Sequence, residues 1–168
     1  MLKLCKPNKS NYQEIADIVN VASKPFLAIE TKEESRALNT GRETAKDIEE
    51  TTKTREVLCV KRGSVTLAFA AFRLKNYKTV WISSLFVRPD NQREGIGKFL
   101  LDAIEKFAKE NSAKVVVLEV RKKAKWAINF YKKYGYRILS ERNLKKNPFD
   151  QAIDKKPSLF RYILGKII

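Results

Sequence analysis

Chemistry in this chain has to proceed without imidazole, because none of its 168 residues is histidine. That rules out Ser-His-Asp and Cys-His catalysis and argues against a zinc site. A general base must then be a carboxylate, a tyrosine, a lysine or a water. Glu119 is the ionisable side chain inside the otherwise apolar run from Val115 to Val120. Such a carboxylate is costly to bury unless it is paired or functional. Its structural alternative is a pairing with Arg121, two residues on and on the same strand face. A second feature could bind rather than react. Gln92-Arg93-Glu94-Gly95-Ile96-Gly97 carries two glycines where a turn would open a helix. Unpaired N–H groups at the positive end of a helix dipole suit a phosphate.

The flanking elements support that reading. Val80 to Val87 reads as a mostly buried strand closed by Arg88-Pro89-Asp90. Beyond the loop, Ile96, Phe99, Leu100, Ala103, Ile104 and Phe107 form one apolar helical stripe. A Walker loop needs a glycine where this chain has Gln92, and a Ser or Thr where it has Phe99. A dinucleotide fingerprint needs a third glycine at Leu100. Further on, Lys114 to Arg121 reads as a strand covered on both faces. A helix follows with Trp126, Ala127, Phe130, Tyr131 and Tyr134 on one face, and Gly135 is placed as its left-handed cap.

What remains, Gln-x-x-Gly-x-Gly after a strand ending in Val-x-Pro, resembles the pyrophosphate loop of the GNAT superfamily of acyl-CoA-dependent N-acetyltransferases. The stretch Phe130-Tyr131-Lys132-Lys133-Tyr134-Gly135-Tyr136 resembles that superfamily's second signature, a helix ending in Tyr-x-x-x-Gly-Phe/Tyr. The two together cover residues 80–136. The resemblance implies an α/β (α+β) fold with a central mixed, mostly antiparallel sheet of about 6–7 strands flanked by about 4 helices. It implies acetyl-CoA as co-substrate and no metal. Backbone groups of Leu85, Phe86 and Val87 would meet the pantetheine arm and thioester carbonyl. The Gln92 loop would hold the pyrophosphate through the N–H groups of Arg93, Glu94, Gly95, Ile96, Gly97 and Lys98. Tyr131 matches the tyrosine that acts near the coenzyme sulfur as general acid, and simple packing is its alternative role. Glu119, twelve residues earlier within Leu-Glu-Val-Arg, matches the glutamate of the branch acetylating ribosomal-protein N-termini. Ser83 and Ser84 stand where other branches place an acidic residue. The family often has an asparagine at the position of Ala124, so that contact is absent or supplied by Asn129 or a nearby lysine.

Bulk properties fit one domain over residues 1–168. The formal charge is +16, from 35 basic and 19 acidic residues, which attracts anions or simply solvates the surface. Cys5 and Cys59 fall in apparent strands and read as small buried thiols rather than a disulfide framework. The start lacks the apolar region of a signal peptide and no run is long enough to span a bilayer, so a cytoplasmic protein without membrane partners is expected. Ser10-Asn11 should cap a helix from Tyr12 carrying Ile15, Ile18, Val19 and Ala22, interrupted at Pro25. Between Glu30 and Glu56 eight acidic residues face six basic ones, with Leu38 and Ile48 as anchors. That segment reads as partly helical and loosely held. Its acidic bias would favour a cationic amine acceptor, or be a solvated helix with Glu49 and Lys53 paired. A hairpin is expected over Glu56 to Leu74, a turn at Asn76 to Lys78, strands at Arg137 to Ser140 and Leu159 to Leu164, and a loop from Asn143 to Ser158 with Phe149, Asp150 and Asp154.

The acceptor is therefore expected to be an amine on a small molecule, a lysine or a protein N-terminus, and the chain a monomer or homodimer. A catalytically degenerate acyl-CoA-binding domain is one alternative. A basic nucleic-acid-binding module, suggested by the lysine clusters at Lys122-Lys123 and Lys132-Lys133, is the other and leaves both signatures unexplained.

Overall fold

The computed structural model describes residues 1–38, 42–75, 78–140 and 159–168, without the side chains of 36–38. The turn expected at Asn76 and Tyr77, the Leu38 anchor and the loop from Asn143 to Ser158 lie outside what is described. The elements are β1 (Leu2–Cys5), α1 (Tyr12–Ala28), α2 (Lys32–Leu38), α3 (Ala45–Thr54), β2 (Glu56–Arg62), β3 (Val65–Lys75) and β4 (Thr79–Val87). After a 3-10 turn at Pro89–Asn91 come α4 (Ile96–Glu110), β5 (Val115–Arg121), α5 (Lys125–Lys133), β6 (Arg137–Ile138) and β7 (Arg161–Ile167). The strands form one seven-stranded sheet in the order β1-β2-β3-β4-β5-β7-β6. β4 and β5 run parallel, and the pairs β1–β2, β2–β3, β5–β7 and β6–β7 run antiparallel. This is the mixed, mostly antiparallel sheet expected.

The chain divides into two compact units, Met1–Phe72 with Ser84–Asp102, and Arg73–Ser83 with Ala103–Ile168. In the first, Ile15, Ala16 and Val19 of α1 close on Ile48, Val57, Cys59, Phe69 and Ala71, with Cys5, Tyr12 and Phe86 packed against them. β2 and β3 join through a tight turn in which Gly63 is left-handed, at φ 61°. α1 starts where the sequence places it but is not capped as expected. The Asn11 side chain accepts from the Asn8 N–H at 2.9 Å and sends its amide toward Cys59 Sγ, leaving the helix without a side-chain cap. Nor does Pro25 interrupt the helix, which continues to Ala28. In the last turn a proline removes only one intrahelical bond, and the five buried residues upstream already fix the helix.

The polar stretch is better ordered at α3 than its composition suggests. Thr44 and Asp47 form a capping box, and Ile48 is only 2 % exposed. Lys53 pairs with Glu50 at 2.7 Å rather than with Glu49. Cys5 and Cys59 are joined as a disulfide between β1 and β2, not held as free thiols. Each reads in sequence as a small apolar residue, and only the register Cys5↔Cys59 brings them opposite one another. The bridge closes a separation of 54 residues. Reduction is expected to lower stability by about 4 kcal/mol on a chain-entropy basis, read as a lower denaturant midpoint with dithiothreitol.

In the second unit β5 is central. Thr79–Ile82 of β4 pair with Val115–Leu118, and all of Val115–Arg121 pair with β7 on the other side. Val115, Val117, Leu139 and Ile163 cluster with Trp81. The last strand runs later than expected, to Ile167. α4 begins in one unit and ends in the other. Its deepest residues are Ile96, Leu100, Leu101, Ile104 and Ala108, while Phe99, Ala103 and Phe107 are half-buried, so the stripe is rotated slightly from the expected one. Among the described residues no helix is long and apolar enough to cross a membrane.

Candidate active site

The loop after β4 is built in three hydrogen-bonded steps. The Arg88 N–H donates to Leu67 O at 2.8 Å, the Asn91 N–H to Arg88 O at 2.9 Å, and the Gln92 N–H to Pro89 O at 3.2 Å. The Gln92 side chain then folds back, its amide donating to Val87 O at 3.3 Å. Gln92 therefore ties the loop to the end of β4. Next come two left-handed residues, Arg93 at φ 67° and Gly95 at φ 81°. The first turn of α4 closes with the Phe99 N–H on Gly95 O at 3.0 Å.

Between those closures, the N–H groups of Arg93, Glu94, Gly95, Ile96 and Gly97 meet no backbone acceptor among the described residues. Alternating left-handed residues at a helix N-terminus turn successive N–H groups into an anion-holding concavity. Glu94 would oppose an anion, but its carboxylate is engaged by Arg62 at 2.6 Å and Asn91 at 3.1 Å. The Arg62 bond, then the Asn91 bond, hold this exposed carboxyl below its usual range. Ile96 and Gly97 are buried under the loop, and the exposed Lys98 side chain pairs with Asp102. Leu85, Phe86 and Val87 are half-buried at the end of β4, beyond Ile82, the last residue paired with β5. The left-handed arginine had no signature in the sequence, since arginine rarely adopts that conformation.

Tyr131 is held by the way α5 ends. The Tyr136 N–H donates to Tyr131 O at 3.1 Å and the Gly135 N–H to Lys132 O at 3.1 Å, with Gly135 at φ 88°. This is a Schellman closure with the glycine in its left-handed position, as expected. The buried face of α5 differs from expectation. Ile128 and Tyr131 are buried, Ala127, Phe130 and Tyr134 are half-buried, and Trp126 is exposed. Nine residues make only about two and a half turns, and the Ala124–Ile128–Tyr131 line points inward instead. Ala124 takes the N-cap position with no side-chain bond and is fully buried, while Asn129 is exposed.

Tyr131 is 8 % exposed, with its ring edge-on to Phe130 at 5.1 Å and to Tyr136 at 5.6 Å. Burial pushes its phenol well above the usual tyrosine pKa, so it keeps its proton at neutral pH. A buried, proton-bearing hydroxyl can donate to a developing anion.

Glu119 does not pair with Arg121. Its Oε2 accepts from Arg161 Nη1 at 3.0 Å, both side chains being about one-quarter exposed. The ladder explains this, because Arg121 stands opposite Arg161 and Glu119 opposite Ile163, leaving Arg161 as the diagonal neighbour of Glu119 across the strands. Glu119 shares the β5 face of Val115 and Val117. Lys166 is opposite Val116 and thus on the other face, where it meets Glu105 and Tyr136. No hydrogen bond joins Glu119 to Tyr131 among the described residues. Ser83 is exposed and Ser84 half-buried on β4.

The phosphate-loop residues and Leu85–Val87 thus belong to the first unit, while Glu119, Asn129 and Tyr131 belong to the second. One carboxyl that the sequence did not single out is Glu43. Asn20 clamps its backbone at 2.8 and 2.9 Å, and burial, then Asp47, raise its pKa. Among the described residues no group of three or more His, Cys, Asp or Glu could hold a metal ion.

Comparison with solved structures gives the same architecture. The PaiA N-acetyltransferase from Thermoplasma acidophilum, in complex with coenzyme A, superimposes with a TM-score of 0.76 at 14 % identity, covering 100 % of this chain and 99 % of that one. Ard1 from Thermoplasma volcanium gives 0.70 at 19 % identity, covering 99 % and 97 %. The ribosomal-protein-S18-alanine N-acetyltransferase from Escherichia coli gives 0.65 at 18 % identity, covering 100 % and 94 %. At these identities the likeness is one of fold. No curated protein sequence matches the chain. Residues 15–136, which include the whole phosphate loop and the Tyr131–Tyr136 signature, match the profile of the acetyltransferase (GNAT) family. With most of its length inside that match, the chain belongs to the acetyltransferase (GNAT) family.

Proposed function

We propose that this acetyltransferase moves an acetyl group from acetyl-CoA to a primary amine by direct attack in a ternary complex. The observation that carries the reading is the loop with Arg93 and Gly95 left-handed and five consecutive N–H groups that meet no backbone acceptor among the described residues. Those groups, with that of Lys98, would bind the pyrophosphate. Main-chain groups of Leu85, Phe86 and Val87 would align the pantetheine and polarise the thioester carbonyl, whose oxygen becomes negative as the amine attacks. Glu119 would take the proton from the acceptor's ammonium, directly or through water, freeing the neutral amine to attack. Tyr131 would protonate the departing thiolate. Asn129, exposed on α5, is the side chain offered in place of the missing asparagine contact at Ala124. No step needs a metal.

The acceptor class is a small-molecule amine, a lysine or a protein N-terminus. The Escherichia coli structure is that of a ribosomal-protein-S18-alanine N-acetyltransferase, which favours keeping protein acceptors in the class. The protein would work as a single N-acetyltransferase domain over residues 1–168, monomeric or homodimeric, in the cytoplasm. Disulfides persist there mainly in hyperthermophiles, so alkylation of Cys5 and Cys59 at cell lysis tests that location.

The deciding experiment combines calorimetric titration with acetyl-CoA and thiol release over a panel of amines and N-terminal peptides. Binding with turnover supports the enzyme, and binding without turnover on any amine supports a degenerate acyl-CoA-binding domain. No binding, together with salt-sensitive nucleic-acid binding, would favour the basic module. One variant tests the loop. A Cβ at Gly95 would meet no protein atom within 4 Å, so within the protein Gly95→Ala adds backbone strain at φ 81°. The unliganded loop is expected to relax out of that strain, so restoring the binding conformation costs about 1–2 kcal/mol and weakens acetyl-CoA binding by roughly five- to thirtyfold in the same titration. Unchanged affinity would place the pyrophosphate elsewhere.

A further inference from the structure

The last residue of the α5 signature, Tyr136, is 2 % exposed, yet its hydroxyl is not merely packed. It donates to Glu105 Oε1 of α4 at 3.2 Å. The same carboxylate accepts from Lys166 Nζ of β7 at 2.9 and 2.8 Å, one bond to each oxygen. Glu105 and Lys166 are 15 % and 28 % exposed, so both charges are mostly withdrawn from water and matched to each other. The Lys166 ammonium also lies 5.7 Å from the Tyr136 ring centroid, a cation over an aromatic face. A Cβ at Gly135 would stand 3.4 Å from Lys166 Cε, an ordinary contact, so it is the φ of 88° that calls for glycine there.

Tyr131 has no comparable anchor. Its hydroxyl has no hydrogen-bond partner among the described residues, and its ring is oriented by edge contacts to Phe130 and Tyr136. Phe130 is half-buried and carries no polar group. Tyr136 is the neighbour fixed at three points, by its N–H on Tyr131 O, its hydroxyl on Glu105 and its ring under Lys166. A ring can be held only as firmly as the ring beside it.

We propose that Tyr136, Glu105 and Lys166 are positioning residues that set the direction of the Tyr131 hydroxyl, so that turnover depends on a hydroxyl, and not just a ring, at residue 136. This rests on the reading of Tyr131 as general acid. Misdirecting a catalytic group by a fraction of an ångström slows chemistry without altering ligand binding elsewhere. A purely structural hydroxyl would affect melting and leave turnover per folded molecule alone.

The test is a cycle of Tyr136→Phe, Tyr131→Phe and the double variant, with kcat normalised to acetyl-CoA-binding sites. Tyr136→Phe leaves the Glu105–Lys166 pair intact and is expected to lower kcat about tenfold, with KM for acetyl-CoA within about twofold. In the Tyr131→Phe background it should have no further effect, because there is no hydroxyl left to direct. Glu105→Gln keeps an acceptor for Tyr136 and should retain most turnover, whereas Glu105→Leu should mimic Tyr136→Phe. An unchanged kcat in Tyr136→Phe, or equal losses in both backgrounds, overturns the network while leaving a slow Tyr131→Phe in place. Full turnover in Tyr131→Phe itself would instead remove the acid reading, and the network with it.

Discussion

Tyr131→Phe is expected to lower turnover by roughly ten- to a thousandfold with little change in acetyl-CoA affinity. The replacement keeps the ring that meets Phe130 and Tyr136 and deletes only the proton donor. A thiolate of pKa near ~8.5 can leave unaided at neutral pH, which is why the effect is bounded. Burial adds a second expectation. Desolvation raises the pKa of the folded phenol, so Tyr131 keeps its proton throughout the neutral and mildly alkaline range. It should contribute no descending limb to kcat below about pH 10. A limb near pH 9 that vanishes in Tyr131→Phe would contradict this. The same shift has a sign in stability. Below the unfolded tyrosine pKa of about 10 both states are protonated and the contribution is complete; above it the unfolded chain ionises first, so stability falls as pH rises. In urea melts between pH 9 and 11, Tyr131→Phe should remove up to about 1.4 kcal/mol per pH unit of that slope. Identical slopes would mean that the phenol is not desolvated.

The second large effect is expected at Glu119. Glu119→Gln should slow turnover about a hundredfold near pH 7, where an amine of pKa near ~10.4 is almost wholly protonated and needs a base. The deficit should shrink as the pH approaches that value and the amine deprotonates itself. The variant is structurally mild, since the glutamine oxygen can still accept from Arg161 Nη1, which now donates at 3.0 Å. A pH–rate profile that keeps its shape and height would leave Glu119 with the salt bridge as its whole role. A uniform loss at every pH, with lowered melting, would likewise point to structure rather than base catalysis.

How much of this could be read from the chain follows the range of each interaction. The strands, both signature elements and the Gly135 cap were legible because their determinants lie within a few residues. The 3.6-residue period placed α4 well enough that only its deepest residues changed, Leu101 and Ala108 replacing the half-buried Phe99 and Phe107. α5 was misjudged because about two and a half turns are too few to fix a face, and its aromatic residues suggested Trp126 where Ile128 is buried. The partner of Glu119 was out of reach for another reason. Arg161 is 42 residues away, and only the β5–β7 register makes it a neighbour. The Cys5–Cys59 bridge and the Glu105–Lys166 pair are hidden in the same way, by separations of 54 and 61 residues. Pro25 shows the opposite error, a local rule overridden by burial of the rest of its helix.

The left-handed pair in the phosphate loop also says how such loops should be sought. Arg93 at φ 67° meets the same demand that Gly95 meets at φ 81°, so one position spells in arginine what the other spells in glycine. No protein atom near Gly95 would block a side chain, so within the protein it is torsion that restricts its identity, and asparagine tolerates that torsion. The requirement is one of handedness rather than of letters. A search phrased in backbone angles would therefore recover loops of this kind that a glycine pattern passes over.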